Sequence, residues 1–259
     1  MPHADPAISL PFPQDNVPVT GNHFEHAYLA CRSRENRVYA DEVVRQLPDC
    51  AEQHPHNPEW QVRKHSCEKL LAYLHTKQQP LRILEIGCGN GWLCNRLSML
   101  PGSHITGMDM NTTELQQAAR VFHDRENISF RYADAGQGLP DSTPYHIILF
   151  AASMQYFRQP ARMLECCMQQ LMHGGEIHII DTHFYPTKAV AAAARKRSRH
   201  YYQQIGAPEM QEYYFHHDLG SLAPFSYVLR YNPLSLRNRL SVKQHPFHWI
   251  VITKNNRYV

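Results

Sequence analysis

The sequence lacks the marks of a membrane, secreted or disulfide-stabilised protein. No apolar run approaches the roughly 20 residues that a membrane-spanning helix needs. The first residues lack the basic start and apolar centre of a signal peptide. Seven cysteines, an odd number, are scattered without a C-x-x-C pair, which does not favour a disulfide framework. We therefore expect a soluble, cytoplasmic protein with reduced cysteines.

The chain also carries little net charge. Charged residues make up 19% of the sequence and the formal net charge is +3, which does not indicate the concentrated basic face of a general nucleic-acid binder. Histidine is frequent, with 18 copies, but the tightest groups are only His54/His56 and His216/His217. Neither group belongs to an H-E-x-x-H motif or to a set with zinc spacing. We predict neither a nucleic-acid partner nor a metal site.

From residue 82 onward the sequence alternates between strand and helix patterns. A helix opened by Asn57-Pro58 precedes the first strand, and a helix opened by Pro160 and stopped at Gly174-Gly175 precedes the fifth. The five predicted strands span 82–86, 105–110, 128–133, 145–151 and 176–181. This alternation predicts a parallel sheet with helices on both faces. Two further strand patterns, 225–231 and 247–253, follow without a strong helix between them.

At 259 residues the chain can bury one sizeable α/β core. Residues 1–22 contain five prolines and little apolar periodicity, so they are predicted to form an extended arm. Residues 23–259 are predicted to form a single domain. Its predicted parts are a helical N-terminal cap at about 23–58, a core at about 59–181, an insertion that covers the substrate at about 182–222, and terminal strands at about 223–259.

The most informative segment is a glycine-rich loop between the first strand and the next helix. Ile83–Ile86 read as a strand buried on both faces, and Gly87, Gly89 and Gly91 follow at every second position. Such a strand–loop–helix unit lets a ligand lie against bare backbone. The loop is G-x-G-x-G, because Trp92 occupies the place where the dinucleotide fingerprint G-x-G-x-x-G has its last glycine.

Acidic residues lie at the carboxyl ends of three neighbouring predicted strands, where open α/β sheets bind ligands. Glu85 is at the first, Asp109 closes the second 22 residues after Gly87, and Asp134 closes the third. A carboxylate at the second position can accept hydrogen bonds from both hydroxyls of a ribose. Ribose recognition would serve NAD as well, and any single acid could simply cap its strand end.

Together, the loop and the three acids resemble motif I and its following acids in class I S-adenosylmethionine-dependent methyltransferases, of the small-molecule type 11/12 kind. The resemblance covers about residues 82–181, with a plausible continuation to 253. It implies an α/β fold: a Rossmann-like, seven-stranded, mostly parallel sheet with helices on both faces and an antiparallel last strand. A helical N-terminal extension and a helical insertion between strands five and six complete the expected fold.

The resemblance also implies the cofactor, S-adenosyl-L-methionine, with S-adenosyl-L-homocysteine as product. An acid at the Glu85 position helps to bind the methionine amino group, one at Asp109 holds the ribose, and one at Asp134 meets the adenine amine. Cys88 is expected to contribute backbone to the loop and not to act as a nucleophile. The predicted cofactor-binding residues are Glu85, Gly87, Cys88, Gly89, Asn90, Gly91, Asp109, Met110, Asp134, Ala135 and Ala151.

The segment after the fourth strand narrows the reaction class. Residues 150–157 read Phe-Ala-Ala-Ser-Met-Gln-Tyr-Phe. They contain neither the Asp/Asn-Pro-Pro-Tyr/Phe of amino-methylating nucleic-acid enzymes nor the Pro-Cys of cytosine C5 enzymes. The acids of the magnesium-dependent catechol type are also missing. The resemblance therefore implies a metal-independent methyltransferase that acts on O, N or C of a small or lipid-like acceptor.

Methyl transfer from a sulfonium is an in-line displacement on an activated donor, so positioning and exclusion of water can supply much of the catalysis. A base is needed only if the acceptor carries a proton that it will not shed unaided. Tyr156, Asp181 and His183 lie at or just past the ends of strands four and five and are the candidate catalytic residues. The alternative is that they line the pocket or form local hydrogen bonds.

The predicted insertion, residues 182–222, is rich in tyrosine and histidine. Together with the helix around Tyr28–Tyr39 it is predicted to cover a planar or hydrophobic acceptor; the alternative is that its rings only pack the insertion onto the sheet. Its basic stretch, 195–199, is read as a solvated helix face or, alternatively, as a site for an anionic group. A cofactor-binding protein of this fold without turnover remains the main alternative function. A nicotinamide oxidoreductase is disfavoured by Trp92, and an aminopropyl transferase by the lack of acids at 151–155. The sequence leaves the oligomeric state open.

Overall fold

The centre of the computed structural model is a seven-stranded sheet in the order β3-β2-β1-β4-β5-β9-β8. The structure describes residues 23–139, 143–239 and 245–255, and the arm predicted for residues 1–22 lies outside them. Strands β1 to β5 pair in parallel, whereas β9 runs antiparallel to both β5 and β8. The predicted fold class, a mostly parallel sheet with an antiparallel last strand, is confirmed.

The bounds of the strands and helices follow the predicted alternation. The strands are β1 (Arg82–Ile86), β2 (His104–Asp109), β3 (Ile128–Tyr132), β4 (Tyr145–Ala151), β5 (Leu171–Ile180), β6 (Phe184–Tyr185), β7 (His217–Asp218), β8 (Tyr227–Tyr231) and β9 (Trp249–Thr253). The helices are α1 (His23–Arg34), α2 (Asp41–Gln46), α3 (Asn57–His75), α4 (Trp92–Leu97), α5 (Thr112–Val121), α6 (Pro160–Gln170), α7 (Lys188–Gln204) and α8 (Leu236–Arg239). Among the described residues, no helix combines the length and the apolar character needed to cross a bilayer.

Alternate side chains of the central strands feed two cores, one on each face of the sheet. On one face Ile83 packs with Leu70 of α3 and Leu93 of α4. On the other face Leu84 packs with Leu164 of α6. Because both faces are covered, the central strands read as nearly continuous apolar runs. The strand order reverses between β1 and β4, which opens a crevice at their carboxyl ends.

Three local features differ from the sequence-based expectation. The pattern from Phe24 to Leu47 forms two helices, α1 and α2, because the chain turns at Asn36 with a left-handed φ of 55°. Helix α6 ends at Gln170, so Gly174 and Gly175 lie inside β5 and do not cap the helix. Leu171 already pairs with Tyr145, and the register shifts before Ile147.

The insertion between β5 and β8 contains α7, as expected for a helical segment, but also a small parallel sheet. Strands β6 and β7 pair through Phe184 with His217 and Tyr185 with Asp218. Two residues per strand give almost no periodic signal, which is why the pattern alone did not reveal them.

Asn111-Thr112-Thr113-Glu114, at the start of α5, has the spacing of a capping box, and the structure forms one of its two bonds. The Asn111 side chain accepts a hydrogen bond from the Glu114 amide at 3.0 Å. The return bond of a full capping box is absent because the Asn111 amide donates to Asp109 Oδ1 at 2.9 Å. The Glu114 carboxylate is therefore available to face the crevice.

A buried charge network joins α3 to the edge of the parallel sheet. Glu176 of β5 accepts hydrogen bonds from Tyr73 at 2.8 Å, Lys77 at 2.7 Å and His178 at 3.1 Å. Burial opposes ionisation, but these bonds lower the pKa of Glu176 to about 2. The carboxylate is therefore stabilised in its ionised form.

We predict that Glu176→Gln lowers the free energy of unfolding at pH 7 by about 2–4 kcal/mol, because it leaves buried donors poorly paired. Because the pKa of Glu176 is depressed in the folded state, the difference in free energy of unfolding between parent and variant should be largest above about pH 4.5 and shrink toward pH 2. Denaturant unfolding at several pH values measures this difference. Glu68→Gln, at an exposed position of α3, is the control. Equal losses at pH 7 and pH 3 would contradict the assignment.

Candidate functional site

A cavity of about 380 Å³ opens at the carboxyl ends of β1, β2 and β4. Its floor is the glycine loop after β1 and the segments that follow β2, β3 and β4. Its cover comes from α1, the α1–α2 connection and α3, with Tyr213 from the insertion. The position is the crevice that the reversal of strand order creates.

The cavity brings together nearly all of the predicted cofactor-binding residues. Gly91, the last glycine of the loop, is the exception: it lies against Phe130 and Ala118 and does not line the cavity. Those that line the cavity are Glu85, Gly87, Cys88, Gly89, Asn90, Asp109, Met110, Asp134, Ala135 and Ala151.

The glycines of the loop are required by backbone conformation and packing as much as by space for a ligand. Gly87 has φ of 77°, and a Cβ there would lie 2.5 Å from Ser153 Cβ. Gly91 has φ of 75°, and a Cβ there would lie 2.7 Å from Phe130 Cζ. Both positions therefore exclude other residues even in the absence of a ligand. Ser153 completes the contact, since its hydroxyl donates to the carbonyl of Ile86 at 2.6 Å.

Asp109 at the end of β2 organises the floor. Its Oδ2 accepts a hydrogen bond from the Gly89 amide at 2.8 Å, and its Oδ1 accepts one from the Asn111 amide at 2.9 Å. Each carboxylate oxygen keeps a lone pair for a further donor. Burial raises the pKa of Asp109, and the backbone donors counteract that rise.

Two further carboxyl groups of the cavity, those of Glu85 and Glu114, have pKa values that burial raises to near neutral pH. Burial raises the pKa of Glu85 to about 8, although a bond from the Cys94 thiol at 3.0 Å opposes the shift. Burial, with the charge of Asp109, raises the pKa of Glu114 to about 7. In the described residues, no Lys, Arg or His nitrogen lies within 4.0 Å of either carboxylate. The floor is therefore an acidic surface that lacks a compensating cation.

Asp134 and Cys88 have simple local environments. Asp134 accepts hydrogen bonds from the Gly136 amide at 2.8 Å and from Gln137 Nε2 at 3.1 Å, so it shapes its own turn while it borders the cavity. Burial raises the pKa of the Cys88 thiol to about 11. A thiol in that state is a poor nucleophile, which agrees with its expected backbone role.

Only one of the three candidate catalytic residues reaches the cavity. Tyr156, in the turn after β4, lines it, and burial raises the pKa of its phenol. Asp181 adopts a left-handed φ of 54° and accepts a hydrogen bond from Ser66 at 2.5 Å, away from the cavity. His183 is exposed and lies against Phe247, with ring centroids 4.5 Å apart. The structure therefore leaves Tyr156 as the remaining candidate.

The sequence predicts that the helix around Tyr28–Tyr39 helps to cover the acceptor pocket, and residues of that segment do line the cavity, but sequence reasoning did not single out Phe24 or Arg32. Phe24, Tyr28 and Arg32 follow each other at intervals of four on one face of α1, and all three line the cavity. The rings of Phe24 and Tyr28 pack edge-on against Tyr156, with centroids 5.6 and 5.7 Å away. The i, i+4, i+8 spacing is a detectable signal, but nothing local shows which element this face contacts.

Four arginines also line the cavity, and all of them lie on the side of the cover or of the turn after β4. They are Arg32, Arg37, Arg63 and Arg158. Carboxyl groups thus lie at the edge of the sheet, and three of the four guanidinium groups, those of Arg32, Arg37 and Arg63, lie on the cover.

Comparison with known proteins gives a consistent result. Residues 77–224, more than half of the chain, match the family described as "Methyltransferase domain". The chain is 29% identical over 118 residues to malonyl-[acyl-carrier protein] O-methyltransferase 1 of Ilyobacter polytropus, a match that covers 45% of this chain and 44% of that protein. It is 33% identical over 100 residues to the ubiquinone biosynthesis O-methyltransferase of Maricaulis maris, covering 38% and 39%. The matches thus span less than half the length of these relatives.

Solved structures resemble the chain over nearly its full length. The plantazolicin methyltransferase BpumL, in complex with a pentazolic desmethylPZN analog and SAH, aligns with a TM-score of 0.55 at 17% identity. That alignment covers 90% of this chain and 97% of the other. The magnesium protoporphyrin IX methyltransferase ChlM from Synechocystis PCC 6803, with bound SAH, aligns with a TM-score of 0.55 at 14% identity, covering 85% and 92%. At such identities the likeness establishes the fold.

The raised pKa of Glu85 predicts a pH-dependent stability. The pKa is about 8 in the folded chain and about 4.5 in an unfolded one, so the folded state binds more protons between these values. Stability should therefore fall as the pH rises from about 5 to 8. We predict that Glu85→Gln weakens this fall, so that the variant gains stability relative to the parent as the pH rises.

Thermal unfolding at pH 5, 6, 7 and 8 measures the effect. Glu165→Gln, at an exposed position of α6, is the control and should follow the parent at every pH. Parallel curves for the parent and Glu85→Gln would show that Glu85 is already ionised in the folded protein.

Proposed function

Because the chain belongs to the class I S-adenosylmethionine-dependent methyltransferase family, we propose that it binds S-adenosylmethionine in the cavity and transfers the methyl group to a small or lipid-like acceptor. The reaction would methylate O, N or C and need no metal, since the sulfonium donor is already activated. The observation that carries the proposal is that the glycine loop and the three strand-end acids border one cavity.

The electrostatics of the floor fit this cofactor. S-adenosylmethionine bears an ammonium and a sulfonium, and the floor holds the carboxyl groups of Glu85, Asp109 and Glu114, each with a pKa raised by burial. A bound cation would favour the ionised form of each. Glu85 would hold the amino group, Asp109 the ribose hydroxyls through its free lone pairs, and Asp134 the adenine amine. The glycine loop would bring the backbone against the ligand.

The chain's contribution to catalysis would be alignment and exclusion of water. The aromatic side chains of α1 and the Tyr156 ring line the cavity and pack edge-on against each other. The raised pKa keeps the Tyr156 phenol protonated, so it is suited to donate a hydrogen bond to the acceptor and not to remove a proton. Among the described residues, no group of three or more His, Cys, Asp and Glu side chains is arranged to hold a metal.

The placement of the cofactor predicts the effect of Asp109→Asn. Loss of the charged acceptor should weaken S-adenosylmethionine binding by about 1–3 kcal/mol, because hydrogen bonds to a charged group are lost. Calorimetric titration measures the dissociation constant, and titration with NADH should give no binding to the parent. Asp218→Asn is the control, since Asp218 also caps a turn, accepting from the Gly220 amide at 2.9 Å, but lies outside the cavity. Unchanged affinity in a folded Asp109→Asn protein, or tight NADH binding, would overturn the placement.

Turnover has its own test. The protein is incubated with methyl-labelled S-adenosylmethionine and a small-molecule extract of cells, in the presence of a metal chelator, and labelled products are identified by mass spectrometry. We expect a labelled product and equal amounts of S-adenosylhomocysteine. Cofactor binding without a product would favour the alternative of a cofactor-binding partner or regulator. A product formed only without the chelator would contradict metal independence.

A further inference from the structure

The cover of the cavity carries an excess of positive charge. Glu59 bridges two guanidinium groups, with Oε2 2.5 Å from Arg37 Nη2 and Oε1 2.7 Å from Arg63 Nη2. Glu35 lies 3.3 Å from Arg37 Nε and 3.8 Å from Arg32 Nη1. Three arginines therefore share two carboxylates. One positive charge is left without an equal partner within this cluster.

Arg32 is the least compensated member of the cluster. Its closest carboxylate contact, to Glu35, is beyond hydrogen-bond length. Glu35 also accepts a 2.5 Å hydrogen bond from Tyr201, which further occupies it. The Arg32 guanidinium lies 4.8 Å from the centroid of the Tyr28 ring, and its side chain is only 21% exposed. Glu114 acts on Arg32 through space from the floor but does not approach within 4.0 Å.

Aromatic rings line the part of the cavity next to the charged cluster that contains Arg32. Phe24 lies one turn before Tyr28 on α1, and its ring packs edge-on against Tyr213 at 5.5 Å. With Tyr156 these rings line the same cavity as Arg32. Across the cavity, Arg158 has a cation–π contact to Phe215 at 5.2 Å and no ion pair with any described residue. We call the part of the cavity lined by Phe24, Tyr28, Arg32 and Tyr156 the compartment under α1. An acceptor bound there would contact aromatic rings along its length and the Arg32 guanidinium at one end.

We propose that the acceptor, in the methyltransferase reaction proposed above, is an organic acid whose carboxylate pairs with Arg32 and is itself the methylated group. A carboxylate is the anion that best matches a guanidinium, because the two form paired hydrogen bonds. The product is a methyl ester. The apolar body of the acid lies between Phe24, Tyr28 and Tyr156.

The step balances without a base. A lone pair of a carboxylate oxygen attacks the methyl carbon, the carbon–sulfur bond breaks, and its electron pair stays on sulfur as the thioether of S-adenosylhomocysteine. No proton moves, because a carboxylic acid is already ionised at neutral pH. One negative and one positive charge disappear, so a cavity that excludes water favours the reaction. This chemistry suits a compartment whose phenol, Tyr156, stays protonated.

A hydroxyl or an ammonium acceptor would first have to lose a proton, whereas a carboxylate would not. Glu85 and Glu114 are the described cavity carboxyls whose pKa values lie near neutrality. Both lie at the glycine loop: Glu85 accepts from the Cys94 thiol at 3.0 Å, and a Cβ on Gly89 would lie 3.0 Å from Glu114 Oε2. That position belongs to the cofactor side of the cavity. The compartment under α1 presents the Arg32 guanidinium and aromatic rings, and this combination favours an acceptor with an anionic group and an apolar body.

The product chemistry gives the first test. Methyl esters release methanol in mild alkali, whereas methyl ethers, N-methyl amines and C-methyl groups do not. Products labelled as described above are treated with alkali, and volatile label is counted. We expect the label to be released. Label that enters a product and stays non-volatile overturns the carboxylate proposal but leaves the methyltransferase function intact. No label in any product overturns the proposed function itself.

Defined acceptors give the second test, with three matched sets of probes: laurate, dodecanol and dodecylamine; 3-phenylpropanoate, 3-phenylpropanol and 3-phenylpropylamine; and benzoate, benzyl alcohol and benzylamine. We expect transfer only to acids. Arg32→Gln should lower kcat/KM for the accepted acid by about tenfold or more through KM, since a charge-assisted bidentate contact is lost. The calorimetric affinity for S-adenosylmethionine should change less than twofold.

Arg34→Gln is the matched control, because Arg34 is exposed on the same helix and does not line the cavity. Arg32→Lys keeps the positive charge but lacks the planar guanidinium that forms two parallel hydrogen bonds, so its kcat/KM should lie between those of Arg32→Gln and the parent. Thermal unfolding of each variant shows whether it is folded. If Arg32→Gln is not folded, Arg32→Lys is used as the test variant in its place. A folded Arg32 variant with the KM of the parent, or preferred transfer to an alcohol or amine, overturns the proposal.

Discussion

The floor of the cavity depends on one carboxylate. Asp109 accepts one amide from the glycine loop after β1 and another from the turn that leads into α5, so it joins two loops that belong to neighbouring strands. The glycines fix the loop on its other contacts, since a Cβ on Gly87 would lie 2.5 Å from Ser153 Cβ and one on Gly89 would lie 3.0 Å from Glu114 Oε2. Ser153 closes the other side of the loop by binding the end of β1. A ligand at this edge of the sheet would therefore meet a surface that is formed before it arrives.

A polar division runs across the cavity. The carboxyl groups of Glu85, Asp109 and Glu114 lie on the floor, and the guanidinium groups lie on α1, α3 and the turn after β4. Neither the carboxyl groups nor the guanidinium groups are fully neutralised by their own neighbours, and incompletely paired charges in a buried site destabilise the folded protein. The proposed reactants, a sulfonium donor and a carboxylate acceptor, carry the opposite charges in the same arrangement. In the proposed reaction, this division of charge would align the two partners as well as bind them.

The sequence predicted the floor well because its signals are local. Apolar runs mark the central strands, and the loop glycines and the acids at Glu85, Asp109 and Asp134 are read from position alone. The arginines of the cover could not be predicted in the same way, since Arg32 and Arg63 lie on helices whose docking depends on the tertiary fold. Asp181 lies outside the cavity lining: it has a left-handed φ and accepts from Ser66, and periodicity does not report such a backbone reversal. Gly174 and Gly175 misled in another way, because α6 ends before them at Gln170 and both lie in β5, where the Gly174 amide donates to the Lys254 carbonyl at 3.0 Å and the Gly175 carbonyl accepts from the Lys254 amide at 2.9 Å.

The buried thiols of the glycine loop affect how the protein tolerates oxidants. Peroxides and alkylating reagents attack thiolates, and the environment of Cys88 and Cys94 raises both pKa values and keeps the sulfur atoms protonated. The loop can therefore carry sulfur beside its ligand without becoming the first place of chemical damage. In a reducing cell that is briefly exposed to peroxide, the partly exposed Cys50 and Cys166, which do not line the cavity, would be modified earlier.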